Sequence, residues 1–396
     1  PVEASLHASL DREVGPGVPY PADIIAIREK AQAEGLWNLF LPDEEHGAGL
    51  SNLDYGILCE VMGRSPAVAP MAFNCAAPDT GNMEILHDHG TDEQKAQWLE
   101  PLLDGKIRSC FSMTEPATSG SDPTNLAASA VLDGDEWVIN GLKWFTSGAN
   151  GADLAIAMVI TEPEGNPYAR ASMILVPTDA PGYKLERPLS VMGHVKGPGH
   201  CEVSYTDCRV PKENLLGERG AGFLIAQDRL GPGRIHHCMR AIGTAERALE
   251  MMCVYASKRE AFGGPLSEKQ FIQDFIAKSR MEIDQARLLT LHAAWKMDTV
   301  GKRAARQEIS LKEYGPAIFA AYPDAAIVGV RAALEVAELS DEQILALHHR
   351  LSALTSEPST DGTSPEAAPA EPIDDHSKRQ IQQQLLRMKM RERGIL

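Results

Sequence analysis

Two short runs hold the side chains best suited to chemistry: FSMTEPATSGSD from Phe111 to Asp122, and KWFTSG from Lys143 to Gly148. Trp144 offers an aromatic wall, and the Thr146 hydroxyl can bond a ring nitrogen. Backbone groups and hydroxyls around Met113 and Thr114 are the right kind of donor for the polar edge of the same ring. Such a set holds a flat heteroaromatic ligand when stiff backbone fixes each contact to within about 0.5 Å, as strands do. Taken singly, a Trp two residues before a Thr in β structure is ordinary strand packing, so the inference rests on both runs together. His236 and His237 are adjacent, which points them to different faces of a helix and makes them a poor metal pair. No metal ligand is assigned from the sequence.

Periodicity places both runs in or beside a β-rich section flanked by helices. Up to about residue 109, apolar residues recur at helical spacing in Ile24–Leu36, Leu53–Met62 and Asp92–Leu103, with loops at His46–Gly49 and Pro66–Pro70. Strand patterns then take over. Ala128–Leu132 and Glu136–Ile139 flank a hairpin turn at Asp133-Gly134-Asp135, and Leu154–Ile160, Ser172–Val176 and Glu202–Tyr205 follow. Helical spacing returns in Phe223–Ser257, which Gly231-Pro232-Gly233 is expected to interrupt, then in Gln270–Asp298 and Arg303–Ala321. Farther on, Ile327, Val330 and Leu334 form one stripe and Ile344, Leu347, Leu351 and Leu354 another, the second opened by a capping box at Ser340–Gln343. Ser356–Asp375 has a disordered composition, and Lys378–Arg393 reads as a short basic helix, docked or solvated.

The expected fold class is therefore α+β and multi-domain. Its parts are an N-terminal α-helical domain (1–109), a central β-sheet domain (110–213) and a C-terminal α-helical bundle (214–309). An atypical end follows: a divergent helical segment (310–355), a Pro/Ser-rich linker (356–376) and a basic terminal helix (377–396).

A length of 396 residues with 43% hydrophobic content leaves room for two or three cores. The net charge of −17 argues against binding to nucleic acid or to an anionic membrane surface, since both demand a basic face. A small anionic ligand held by a few local arginines is still allowed. Seven scattered cysteines with no C-x-x-C pair read as reduced core thiols. No apolar run reaches the roughly 18 residues of a spanning helix. A cytoplasmic chain is expected, with an organellar matrix as the alternative.

In their order, these runs resemble the flavin-contacting segments of the acyl-CoA dehydrogenase family. Phe111–Asp122 is similar to the signature Y-C-x-T-E-P-x-x-G-S-D, with one extra residue between Pro116 and Ser121, and Lys143–Thr146 is similar to a W-x-T segment. RVPKENLLGERGAGF (Arg209–Phe223) resembles the junction of the family's β domain with its helical bundle. REAFGGPLSEKQ (Arg259–Gln270) resembles an R-x-x-F-G-x-P-L-x-x-x-Q element, and RLGPGRIHHCMRAIG (Arg229–Gly243) looks most like the branch of members ten and eleven. The resemblance covers about residue 20 to about residue 309.

The resemblance implies an FAD-dependent acyl-CoA dehydrogenase of fatty acid metabolism, passing electrons to a flavoprotein acceptor. Phe111, Met113, Thr114, Trp144 and Thr146 would line the isoalloxazine. Arg259, with Phe262 and Gln270, would grip the FAD pyrophosphate of a neighbouring subunit, for which a forked guanidinium is suited. Ser121 and Arg234 would face the acyl-CoA substrate. A homodimer or homotetramer is implied with them.

The family removes an α-proton with a buried carboxylate as the β-hydrogen leaves as hydride to the flavin. After Ile309-Ser310 no Gly-Gly segment or matching acidic setting follows, and Asp361-Gly362-Thr363 lies in the linker. The other family position, just before Arg234, is Gly233, which cannot act as a base. The catalytic base is unassigned, with Glu313, Asp324, Glu335 and Glu338 as weak candidates. An active dehydrogenase, a base-less FAD or acyl-CoA binding relative, an interaction protein using the linker and basic end, and a flavin oxidase or monooxygenase all stay open.

Overall fold

The computed structural model describes residues 20, 22–120, 122–191 and 199–301. Ser121, the helices expected beyond residue 301, the linker, the basic end and the weak candidate bases lie outside the described residues.

The N-terminal part is helical: α1 (Ala22–Ala33), α2 (Asn52–Gly63), α3 (Ala69–Ala72), α4 (Asp79–His89), α5 (Asp92–Gln94) and α6 (Glu100–Leu103). Ser51 caps α2 by accepting the Asp54 amide at 3.1 Å, and a Thr91–Gln94 capping box opens α5. A π-turn at Lys95–Leu99 joins α5 to α6, so the helix expected over Asp92–Leu103 is present with its middle rewound. Pro66–Pro70 is not all loop, because α3 begins inside it. Pro70 sits in the first helical turn, where its missing N–H is not needed. Helix α4 was not foreseen. Asp79 through Leu86 are all buried, so Asp79, Thr80, Gly81, Asn82 and Glu84 share the interior with Met83, Ile85 and Leu86 and no one-sided apolar stripe marks the helix.

The β section holds β1 (Ser109–Ser112), β2 (Ser129–Asp133), β3 (Glu136–Ser147), β4 (Leu154–Ile160), β5 (Ala171–Pro177), β6 (Tyr183–Leu189), β7 (His200–Pro211) and β8 (Leu215–Leu216). They form one sheet in the order β6-β7-β3-β2-β4-β5-β8, with β1 parallel to β4. The β2–β3 hairpin turns at Asp133–Glu136 as the sequence indicates, whereas β1, β6 and β8 were not anticipated. Strands β4 and β5 are buried along nearly their whole length because both faces are covered, and every residue but Ser172 is apolar. Leu154, Ile156 and Met158 pack into the core shared with the helices, while Ala155, Ala157 and Val159 face a second core within the β section.

The C-terminal part has α7 (Gly222–Lys258), a small hairpin of β9 (Glu260–Ala261) and β10 (Gly264–Pro265), and α8 (Gln270–Val300). Helix α7 runs unbroken through Gly231-Pro232-Gly233, contrary to the expected interruption. Proline removes a single amide donor, and Pro232, Ile235 and His236 are buried in contacts that hold the helix on course. His236 packs edge-on to Tyr55 at 4.6 Å while His237 is exposed, the divergence expected of adjacent helical residues. Arg287 of α8 donates to both oxygens of Glu60 on α2 at 2.9 Å and also pairs with Glu246 on α7, tying three helices together.

Candidate functional site

The two chemical runs lie edge to edge. Phe111 is on β1, Met113 and Thr114 directly follow it, and Lys143–Thr146 lies near the end of β3. The Trp144 amide donates to the Thr114 carbonyl at 2.9 Å. Lys143 Nζ donates to the Met113 carbonyl at 3.0 Å, the Met158 carbonyl at 2.6 Å and Glu115 Oε1 at 2.7 Å. Glu115 in turn accepts the amides of Ala127 at 2.7 Å and Ala128 at 3.0 Å. The Lys143–Glu115 pair is almost wholly buried. Burial pulls the ammonium down to about 8, and the Glu115 charge opposes that shift.

This clamp was missed from sequence, although a lysine between apolar strand neighbours was its one available signal.

A bulge between Lys143 and Thr146 decides which side chains face the outside. Strict alternation would put residues 143 and 146 on opposite sides of the strand. With Phe145 at φ +48° in the bulge, both Lys143 and Thr146 turn inward. The Thr146 hydroxyl therefore faces Ser112 Oγ at 3.5 Å, inside the protein. Trp144 is half-buried, with its ring edge-on to Phe145 at 4.9 Å. The accessible hydroxyl of this turn belongs to Ser147, 2.7 Å from His200 Nδ1.

Phe111 has its own support. The Arg229 guanidinium lies over its ring at 4.1 Å and donates to Asn82 Oδ1 at 3.0 Å. Asn82 donates to Ser109 Oγ at 2.9 Å, and Asp79 accepts both the Ser109 amide and hydroxyl at 2.7 Å. Arg108 closes the chain with an ion pair to Asp79 at 3.2 Å. Burial lowers Arg229 to about 10 despite the opposing charges of Glu84 and Asp79. Arg234 is one and a half turns farther along α7 and half-buried. Glu115 and Asp79, the acidic groups tied to these runs, are each engaged by a cation.

Arg259, Phe262 and Gln270 form a separate, exposed group around β9 and β10, with Phe262 94% exposed. Arg259 caps the end of α7, thirty residues beyond Arg229. At about 1.5 Å of rise per residue, the helix separates the two arginines by roughly 45 Å. One chain brings Phe111, Met113, Thr114, Trp144 and Thr146 together and holds the other three apart from them.

Helices before and after a β section, with two motif runs clamped together by the Trp144 amide and the Lys143 ammonium, define an acyl-CoA dehydrogenase type of architecture. The models of that family's N-terminal, middle and C-terminal domains match residues 9–106, 110–208 and 220–326. The chain is 54% identical to FadE2 of Mycobacterium tuberculosis over 74% of its own length and 71% of that protein's. It is 51% identical to acyl-CoA dehydrogenase family member 11 of Gallus gallus over 74% of its length, but spans only 38% of that longer protein. A solved structure from Mycobacterium abscessus assigned as an acyl-CoA dehydrogenase superposes with a TM-score of 0.74 at 45% identity, covering 89% of this chain and 88% of that one. A glutaryl-CoA dehydrogenase of Mycobacterium smegmatis in complex with FADH2 gives a TM-score of 0.62 at 25% identity, covering 84% and 82%.

The chain belongs to the acyl-CoA dehydrogenase family and is an oxidoreductase of that type. The match to residue 326 carries the resemblance past the limit of about 309 drawn from the motifs alone.

Proposed function

We propose that this chain binds FAD and oxidises the α,β bond of an acyl-CoA thioester, with electrons leaving to a flavoprotein acceptor. The observation that carries this reading is the clamp between the two runs: the Trp144 amide on the Thr114 carbonyl, and Lys143 on Met113 and Glu115. It presents an aromatic side chain and fixed backbone groups on one stiff surface, which suits the ring of a flavin. Bound FAD would supply the hydride acceptor. The glutaryl-CoA dehydrogenase that resembles this chain was solved with the reduced form of that cofactor.

In this reading Phe111 and Trp144 wall the ring, Met113 and Thr114 meet its polar edge, and Thr146 supports it from beneath. The hydroxyl that reaches the ring is then Ser147's, because Thr146 is turned inward. Arg234 and Ser121 serve the acyl-CoA. Arg259, Phe262 and Gln270 serve the pyrophosphate in a second copy, since a span of roughly 45 Å along α7 exceeds what one dinucleotide bridges. Exposed Met251, Tyr255, Phe271 and Phe275 beside them form an apolar surface that a homodimer or homotetramer would cover. The domain limits at 109/110 and 213/214 belong to the same proposal. So does a cytoplasmic or matrix location, supported by six buried unpaired cysteines.

A second reading, a relative that binds FAD and acyl-CoA without dehydrogenation, is favoured by Gly233 before Arg234 and by the pairing of Glu115 with Lys143. Purified protein incubated with FAD and desalted should retain a flavin absorbance band, and Trp144→Ala should lose most of it. Equal retention by Trp144→Ala would remove the ring site from this face. Rapid oxygen consumption by the photoreduced protein would assign an oxidase instead.

A further inference from the structure

On the side of the N-terminal part formed by the loop before α2 and the end of α4, Asp43, His46 and His87 place one ligand atom each within 4.8 Å of one another. We propose that these three residues bind a zinc-class divalent transition ion, which pins the loop to α4. The set is two imidazoles and one carboxylate, a donor combination typical of zinc.

Three observations point to a cation rather than to an ordinary hydrogen-bonded cluster. Asp43 Oδ1 accepts the amides of Glu45 at 3.1 Å and His46 at 2.8 Å, and also contacts His46 Nδ1 at 3.1 Å. Asp43 Oδ2, by contrast, is enclosed and has no hydrogen-bond partner among the described residues. It faces His87 Nε2 at 3.5 Å.

The second observation is the orientation of His87. Its Nδ1 lies 2.9 Å from Asp88 Oδ1, and a carboxylate only accepts, so Nδ1 is the nitrogen that donates. In the neutral ring this leaves the Nε2 lone pair aimed at a second acceptor, Asp43 Oδ2. Two acceptors facing each other call for a positive charge between them. A carboxylate behind a metal-binding imidazole is also the usual way such a ring is oriented.

The third is spacing. With metal–ligand distances of about 2.0–2.2 Å, neighbouring ligands of one tetrahedral centre lie roughly 3.3 Å apart. Asp43 meets one ring with each oxygen, Oδ1 lying 3.1 Å from His46 Nδ1 and Oδ2 lying 3.5 Å from His87 Nε2, and both separations are close to that figure. The rings meet edge to face with centroids 5.6 Å apart, so neither blocks the other's nitrogen. All three side chains are a little over one-quarter exposed, which leaves an entry path and room for water as the remaining ligand.

Nothing in the flavin reading uses these residues, so the proposal stands or falls separately from it. The test is calorimetric titration of EDTA-dialysed full chain with Zn²⁺, paired with thermal unfolding. Wild type should bind one equivalent that the His46→Ala/His87→Ala double variant does not bind, and Zn²⁺ should raise the unfolding temperature of wild type alone. Asp88→Asn should weaken that equivalent by about 10–100-fold while leaving the metal-free unfolding temperature near wild type. Undiminished binding by the double variant, or no Zn²⁺-dependent shift in wild type, would overturn the site.

Discussion

The Lys143–Glu115 pair holds the two chemical runs together, and its burial makes it sensitive to loss of either partner. Glu115→Gln leaves an ammonium in the core without its counter-charge. It should lower the unfolding free energy by about 3–5 kcal/mol in urea titration and reduce flavin retention with it. Lys143 should also tilt the pH dependence. It falls from the ordinary 10.5 to about 8 in the fold. Below the folded value both states hold the proton, and the burial penalty is fully present. Between the two values the unfolded chain binds more protons than the folded one, so this group adds stability as pH rises. The stability of wild type relative to Lys143→Met should therefore climb across that window, and a flat difference would contradict the assignment. The pairing of the two runs was legible from their motifs, and the structure joins them through the Trp144 amide and the Thr114 carbonyl. Which hydroxyl points outward was not legible. The bulge that reverses Thr146 and Ser147 depends on pairing with β7, and no local residue declares it.

Helix α7 is the element on which the proposed site depends, since Arg229, Arg234 and the Arg259 cap all lie along it. It crosses α2 where Gly63 and Gly243 meet. A Cβ at Gly243 would fall 1.9 Å from the Glu60 carbonyl, and one at Gly63 would fall 2.0 Å from the Arg240 carbonyl. Backbone against backbone leaves no flexible side chain to yield. Gly243→Ala should cost about 1–3 kcal/mol of stability, measurable as a lower urea midpoint, with little change expected for Gly231→Ala, where the space is open. The long helices and the predominantly apolar strands β4 and β5 were readable from the sequence pattern. The course of α7 through Pro232 and the existence of α4 were not. In both, tertiary burial rather than local propensity decides, as the run of buried polar residues from Asp79 to Asn82 shows.

At the scale of the whole molecule, the proposed function divides the site between two copies. Arg229, over Phe111, and Arg259 lie about thirty residues apart along α7, and in the proposed reading the Arg259 group therefore serves a second copy. Arg259→Ala should weaken FAD binding at least about 10-fold, the loss of a charge-assisted pair, without a matching fall in unfolding temperature. Mixing Arg259→Ala with Trp144→Ala should restore part of the binding by pairing one good half from each. No recovery on mixing would place both halves in a single chain. The helix–β–helix order was visible in the sequence because each part has its own period, whereas a site divided between subunits was implied by the family resemblance alone, and the length of α7 now supports that proposal. Within the described residues no helix is long and apolar enough to cross a membrane. The most direct measurement is an anaerobic titration of the flavin-loaded protein with a panel of acyl-CoAs, followed by absorbance. Bleaching of the flavin band by at least one acyl-CoA is the predicted result. A band that shifts without bleaching for every member of the panel, or a protein that takes up no flavin, would contradict α,β-dehydrogenation by this chain.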